Sequence, residues 1–253
     1  DKINILVHPC TFKSRYRQIL AHRPAPIQVA STNLVSTTGL KAADFLITDS
    51  TISPKETNTN LYTEKLIHLS QVNTYQTIEN SPNVSKLPAL KNNFITFGSC
   101  NNIAKINNEV IETWSELLNA IPNSKLLLKH RSLENDLQKQ QILFSFHEVG
   151  IENDRLSLEG FTLNPFEYLD VYNKIDISLD PFPFGGGTVS YESLWMGVPI
   201  LTMLGASFMG RLCGSLMKQV GLSNWIVNSR SDYISLAISL SSNLAELDKI
   251  RRT

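Results

Sequence analysis

The sequence predicts an α/β protein built on parallel sheets, and three observations carry that expectation. Short apolar runs of strand length recur along the chain. From about residue 94 onward, stretches with helical spacing separate them. A bare glycine corner stands where one of these strands runs into a helix. Alternating strands and helices imply a parallel sheet covered on both faces, and right-handed crossovers make it doubly wound.

The first part of the chain reads as a smaller α/β unit, the truncated end of a Rossmann-like domain. Its strands are "INILV" (3–7), "FLITD" (45–49) and a run around residues 65–69. Composition shifts to Asn, Ser, Thr and Pro from about residue 72, with Pro82 and Pro88 inside the shift, which marks a linker. The chain therefore divides into 1–80, a linker over 81–93, and a larger domain over 94–253. In that domain "NFITFGS" (93–99) is a strand. Val110, Ile111, Trp114, Leu117 and Leu118 then repeat at helical spacing up to Pro122. "KLLLKH" is a strand, the stretch ending at Gly150 a helix, and "DRLSLEG" a strand. In "NPFEYLDVYNK", Asn164 caps a helix, Pro165 suits its first turn, and Glu167 sits where a capping box places an acid. "IDISLD", "PILTM" and a helix closed by Gly221 follow, with a helix over 188–196 between the two strands and two further helices at the end.

Composition excludes several function classes. The formal net charge is +0, which argues against a general electrostatic grip on nucleic acid or an anionic membrane. No apolar run approaches the roughly 20 residues of a membrane span, and no signal peptide opens the chain. Asp1 rather than Met stands first, as in a piece of a longer protein. Cys10, Cys100 and Cys213 are far apart and lack CxxC spacing, so they read as reduced thiols of a cytoplasmic protein. The His residues form no metal-binding pair, and no metal is expected.

The stretch "DPFPFGGGTVSYESLWMGVPILTM" (180–203) carries the chemistry. Ligands of such folds sit beyond the carboxyl ends of the strands. Gly185, Gly186 and Gly187 lack the Cβ atoms that would keep a phosphate from the backbone. The helix start offers unpaired N–H groups and roughly half a positive charge. The hydroxyls of Thr188 and Ser190 can add hydrogen bonds, and Glu192, one turn on, suits a ribose whose two hydroxyls donate to it. The bland alternative is a tight turn with Thr188 as a simple cap. Neither GxGxxG nor GxxxxGK[ST] is matched. "FGSCNNIAKI" (97–106) also follows a strand, so Lys105 can bring a full charge to a diphosphate. "LKHR" (128–131) is a third cationic spot, placed by topology either in the cleft or on the surface.

These pieces resemble the catalytic region of bacterial SPINDLY-type and O-GlcNAc transferase-like proteins across nearly the whole chain. The resemblance rests on "HRPAPIQVA", "TTGLKAADFLITD", "YTEKLIHL", "LPALKNNFITFGSCNNIAKIN", "LLLKHRSL", "GFTLNPFEYLDVYNKIDISLDPFPFGGGT", "ESLWMGVPILTM" and "VGLSNWIV", in that order. It implies a GT-B fold, two Rossmann-like domains across a cleft, with a nucleotide-sugar donor held mainly by the second. It implies sugar transfer to Ser or Thr hydroxyls of protein acceptors, from UDP-GlcNAc or, in plant SPINDLY, GDP-fucose, with no cofactor besides the donor. Full-length members often carry tetratricopeptide repeats ahead of this region. By the same resemblance Lys105 contacts the donor phosphates, Thr188 is the hydroxyl at the phosphate-binding helix start, and Glu192 holds the ribose. Asn102, Gly186, Gly187 and Val189 complete the donor site.

The sequence departs from the family pattern in several places. Val189 replaces a second Thr, Tyr168 replaces a His, and "VHPCTFKSRYRQ" and "STNLVS" replace motifs of the first domain. His8 is the residue left to serve for the lost His as a catalytic group beside Lys105. Three readings stay open here: a GlcNAc transferase, a degenerate nucleotide-binding or scaffold relative, and a GT-B enzyme acting on a glycan or lipid.

Overall fold

The computed structural model describes residues 3–8, 14–31, 36–56, 59–72 and 74–253. Two parallel sheets organise them. The first has the order β1-β2-β3-β4, from β1 (Ile5–His8), β2 (Ile27–Ala30), β3 (Phe45–Thr48) and β4 (Lys65–His68), with α1 (Ser14–Ala21) between β1 and β2. The sequence reading omitted β2 because Gln28 interrupts its apolar run. Gln28 is fully buried, and its amide donates to Leu20 O at 2.9 Å and Ala42 O at 2.7 Å. Both amide donors are thus met, while Gln28 Oε1 is buried without a partner among the described residues. "VHPCTFKSRYRQ" and "STNLVS" lie partly, and Cys10 wholly, outside the described residues.

The second sheet follows α2 (Ala89–Asn92), a single turn inside the expected linker. Its elements are β5 (Thr96–Ser99), α3 (Asn108–Ala120), β6 (Lys125–Lys129), α4 (Asp136–His147), β7 (Leu156–Glu159), α5 (Pro165–Asp170), β8 (Ile177–Leu179), α6 (Thr188–Trp195), β9 (Ile200–Met203), α7 (Phe208–Gln219), β10 (Ile226–Val227), α8 (Arg230–Ser241) and α9 (Leu244–Arg252). The order is β10-β9-β8-β5-β6-β7, every pair parallel. The order reverses between β5 and β8, so the ligand crevice of the fold lies at their carboxyl ends.

Both faces of this sheet are covered, as its near-continuous apolar strands require. Trp114, Leu117 and Leu118 of α3, Phe146 of α4 and Tyr233 of α8 pack on one face with Leu126 and Leu128. Leu169, Tyr172, Ile175, Met196 and Val198 pack on the other with Leu127. Expected helix ends recur. Asn164 accepts from Phe166 N at 2.9 Å, and the stops at Gly150 and Gly221 have φ of 85° and 79°; Asn107, a cap not expected, accepts from Val110 N at 3.0 Å. Glu167, expected to close a capping box, is exposed and makes no return bond among the described residues.

The halves meet along α6 and α7. Ile52 and Val72 pack with Phe208, Met209 and Leu212. Tyr75 stacks on Tyr191, ring centroids 5.5 Å apart, and Trp195 Nε1 donates to Ser81 Oγ at 2.9 Å. Asp49, buried after β3, accepts from Thr51 N at 2.7 Å and Ile52 N at 2.8 Å, and also from Ser215 Oγ of α7. Asp49→Ala leaves these buried donors without an acceptor. It is expected to lower stability by about 1–3 kcal/mol in urea unfolding, with Asp49→Asn recovering part of the loss.

Candidate functional site

The site begins at the carboxyl end of β8. Asp180 is 3% exposed and turns its carboxylate back into the corner that follows. Oδ1 accepts from Gly186 N at 2.6 Å, and Oδ2 accepts from Thr202 Oγ1 of β9 at 2.7 Å. Burial pushes the Asp180 carboxyl above the usual carboxylate range, opposed by these two hydrogen bonds and by the charge of Lys105. Asn107 Nδ2 donates to Phe182 O at 3.0 Å, tying the corner to the start of α3.

The glycines have different reasons to be glycine. A Cβ at Gly185 would come within 2.8 Å of Asp180 Oδ2, and one at Gly186 within 2.2 Å of Ser190 Oγ and 3.1 Å of Asp180 Oδ1. Gly185 and Gly186 are therefore bare because the protein's own carboxylate and hydroxyl fill the space, which corrects the sequence reading of an open phosphate approach at all three. The Gly186 N–H is already engaged, so Gly186 supports the site from beneath. A Cβ at Gly187 would meet only Leu212, at 3.9 Å. Gly187 is the N-cap of α6 and lines the cavity, and no side chain caps this helix. Thr188 is the first helical residue rather than the cap, so its hydroxyl is not committed to the helix start. Ser190 is buried beneath, away from the cavity wall.

A cavity of about 450 Å³ opens over this corner. Asn101, Asn102 and Lys105 line it from the segment after β5, Lys129, His130 and Arg131 from the end of β6, Gly160 to Thr162 from the end of β7, Tyr168 from α5, and Gly187 to Val189 from α6. Lys105 Nζ donates to Gly185 O at 2.7 Å and Asn101 Oδ1 at 3.2 Å, and stands 4.6 Å from the Phe184 ring centroid. An ammonium has three donors, so one remains for a ligand. Burial lowers its pKa from the usual lysine value, opposed by Asp180.

The other cations differ. Lys129 is 3% exposed and fully engaged, by Gly160 O at 2.9 Å, Thr162 Oγ1 at 2.7 Å and Glu159 Oε2 at 3.8 Å. It braces the cavity wall. His130 Nδ1 lies 2.9 Å from Ser132 Oγ, and burial followed by the charge of Arg131 lowers its pKa. Arg131 is exposed at the rim, and among the described residues its guanidinium has no hydrogen-bond or ion-pair partner.

The remaining expected residues fall as follows. Asn102 lines the cavity, but its Oδ1 accepts from Ala104 N at 3.0 Å and is a local cap. Val189 lines the cavity, and its carbonyl accepts from Tyr172 O–H at 3.1 Å. Glu192 is 8% exposed and sits behind the wall, its Oε2 accepting from Tyr168 O–H at 2.8 Å. His8 is buried at the end of the edge strand β1 and does not line this cavity. Asp180 was missed as a site residue; it is a charged residue ending an apolar strand at the crevice, which is the signal that marks it. Of the LKHR spot, left open between cleft and surface, Lys129, His130 and Arg131 line the cavity. Among the described residues, no group of three His, Cys, Asp or Glu is gathered to hold a metal ion, and no helix is long and apolar enough to cross a membrane.

The parallel α/β fold agrees with what known proteins show. The sequence model described as Glycosyl transferase family 41 matches residues 1–77 and 76–253, and the chain belongs to that family. It is similar to the Hordeum vulgare protein named "Probable UDP-N-acetylglucosamine--peptide N-acetylglucosaminyltransferase SPINDLY", 37% identical over 100% of this chain and 27% of that protein. The Arabidopsis thaliana protein of the same name is 36% identical over 99% of this chain and 28% of that one. The chain thus spans about a quarter of the length of these relatives. Among solved structures, a mutant Thermobaculum terrenum O-GlcNAc transferase superimposes with a TM-score of 0.87 at 32% identity, over 99% of this chain and 48% of that one. TarM, at 12% identity and a TM-score of 0.53, shares the fold alone.

Gly186→Ala drives a methyl group onto Ser190 Oγ and should destabilise the protein by about 1–3 kcal/mol. Ser190→Ala makes room for it. The double variant is expected to be more stable than the sum of the single losses, read as a coupling energy in urea unfolding.

Proposed function

We propose that this chain is the donor-binding part of a glycosyltransferase that moves GlcNAc from UDP-GlcNAc to Ser or Thr hydroxyls of proteins. One observation carries the reading. Lys105, with a donor to spare, and the uncapped start of α6 face one cavity at the β5/β8 switch point. Two negative phosphate groups suit that pair of features. The names of the relatives supply the sugar, the uridine nucleotide and the peptide acceptor.

The donor diphosphate sits against Gly187, Thr188 and Lys105. As the sugar–phosphate bond breaks, negative charge grows on the leaving diphosphate. Groups already in place there stabilise the transition state without reorganising, and one such donor is worth a few kcal/mol. Lys105 is prepared for this, because Gly185 O and Asn101 Oδ1 hold its ammonium before a ligand arrives. The proton of the acceptor hydroxyl needs a base, and His8 is the proposed candidate on the first half. A nucleotide-binding relative without turnover is the second reading, favoured by the position of His8 away from the cavity wall.

Calorimetry with UDP, UDP-GlcNAc and GDP-fucose tests the donor site. Lys105→Ala should weaken UDP binding about ten- to a hundredfold, and Thr188→Val several-fold. UDP affinity at an unchanged Lys105→Ala value rejects the site. Transfer is tested in the protein that carries this chain, by mass spectrometry of acceptor proteins, and binding without turnover selects the second reading.

The lowered pKa of Lys105 gives a pH dependence with a definite sign. Below its pKa the ammonium is charged and binds. As pH rises, charge is lost earlier than for an exposed lysine, so UDP affinity should fall at a pH below the usual lysine value. Lys105→Arg should hold its affinity to higher pH.

A further inference from the structure

The corner after β8 carries two phenylalanines with opposite fates. Phe182 is 3% exposed and packs against Tyr233, ring centroids 5.7 Å apart. Phe184, two residues on, is 45% exposed, so burial does not account for an aromatic side chain there. Its ring faces a charge instead. Lys105 Nζ stands 4.6 Å from the Phe184 centroid, inside the roughly 6 Å at which a ring face attracts a cation. The same ammonium donates to the carbonyl of the next residue, Gly185, at 2.7 Å and to Asn101 Oδ1 at 3.2 Å. Ring and carbonyl come from the corner, and the amide comes from the segment after β5. The ring acts through its quadrupole, so it holds the ammonium without cancelling its charge.

Resting on the donor-site reading above, we propose that Phe184 is a positioning residue for Lys105, whose ring face keeps the ammonium charged and in place for the diphosphate. Two effects follow from the contact. A lysine head sits on a flexible four-carbon stem, and the ring restricts where that head can go. The ring also favours the charged amine over the neutral one, against the burial that lowers the Lys105 pKa. Asp180 at the end of β8 and Cys213 of α7 act on Lys105 in the same sense as the ring, and Lys129, His130 and Arg131 line the cavity from the end of β6. A substitution at Phe184 leaves all of these groups in the protein. Loss of the ring therefore lowers the Lys105 pKa further, and the cation is lost at a lower pH.

The experiment is calorimetry of UDP and UDP-GlcNAc across pH on the unmodified protein, Phe184→Leu and Phe184→Tyr. Lys105→Ala, alone and with Phe184→Leu, completes a double-mutant cycle. Leucine keeps an apolar side chain, and tyrosine keeps the ring face. Phe184→Leu should weaken UDP binding about threefold at neutral pH, the size of a partly exposed cation–π contact. It should also lower, by about half a unit, the pH at which affinity is lost. The titration of the nucleotide itself is common to all variants and drops out of the difference. Phe184→Tyr should match the unmodified protein, and Phe184→Leu should change nothing once Lys105 is Ala. The proposal is overturned if Phe184→Leu leaves both UDP affinity and its pH dependence unchanged. It is overturned as well if the variant weakens UDP-GlcNAc alone, which puts the ring on the sugar, or weakens UDP equally without Lys105. Should Phe184→Leu fail to fold, Phe184→Trp carries the test: its stronger ring should raise the pH at which affinity is lost, and no rise overturns the proposal. If UDP does not bind the unmodified protein at any pH, the donor-site reading falls and takes this one with it. If Lys105→Ala weakens UDP and Phe184→Leu does not, only the role of Phe184 falls.

Discussion

The carboxyl group of Asp180, nearly sealed from solvent, decides how the chain turns from β8 into α6. It holds the Gly186 N–H on one oxygen and Thr202 of the neighbouring strand on the other. Loss of a buried acceptor leaves its donors without partners, so this geometry is strongly favoured over alternatives. Everything exposed in the cleft follows from it. The corner folds inward at Gly185 and Gly186, Gly185 O is presented to Lys105, and Gly187 is brought to the surface as the cap of a helix with free N–H groups. The cavity-facing part of the corner is one residue and a helix start, supported by two glycines that face the protein.

The alternation of strands and helices was legible in the sequence because parallel strands buried on both faces are short and apolar, and their helices end at readable caps. Lys105 and the α6 start were legible for a topological reason. β5 and β8 are the two strands at which sheet order reverses, so the segments after them converge. Other features needed three dimensions. Gln28 hides β2, since a buried amide looks like a loop residue until Leu20 O and Ala42 O are seen beside it. The glycines look equivalent in a row, and only their neighbours separate the two that pack from the one that faces outward. Glu192 stands at the right helical offset to point at a ligand, but sequence offset cannot show that Tyr168, from 24 residues earlier, stands in front of it.

The first half is fastened to the same elements that form the site. Tyr75 and Ser81 hold the connecting segment to α6 through Tyr191 and Trp195, and Asp49 reaches Ser215 on α7. These contacts involve the body and far end of the helices, while the cleft uses the start of α6. The connection between the halves therefore leaves the start of α6 to the cavity, and it seats the first half beside it.

The cations of the cleft show how burial and pairing divide labour. Lys129 is so fully engaged by Gly160 O, Thr162 and Glu159 that its charge serves the wall. Arg131 at the rim is solvated, and its field is screened within a Debye length. Lys105 lies between these extremes. It is dehydrated enough for its charge to act at close range, and held by two neutral oxygens rather than by a contacting carboxylate. Neutral partners orient an ammonium without cancelling it. The nearest acid, Asp180, has both oxygens engaged elsewhere and influences Lys105 only through its field. The arrangement leaves one cation, already oriented, beside a helix start that adds charge of the same sign. Growing negative charge in this cavity would meet its strongest stabilisation there.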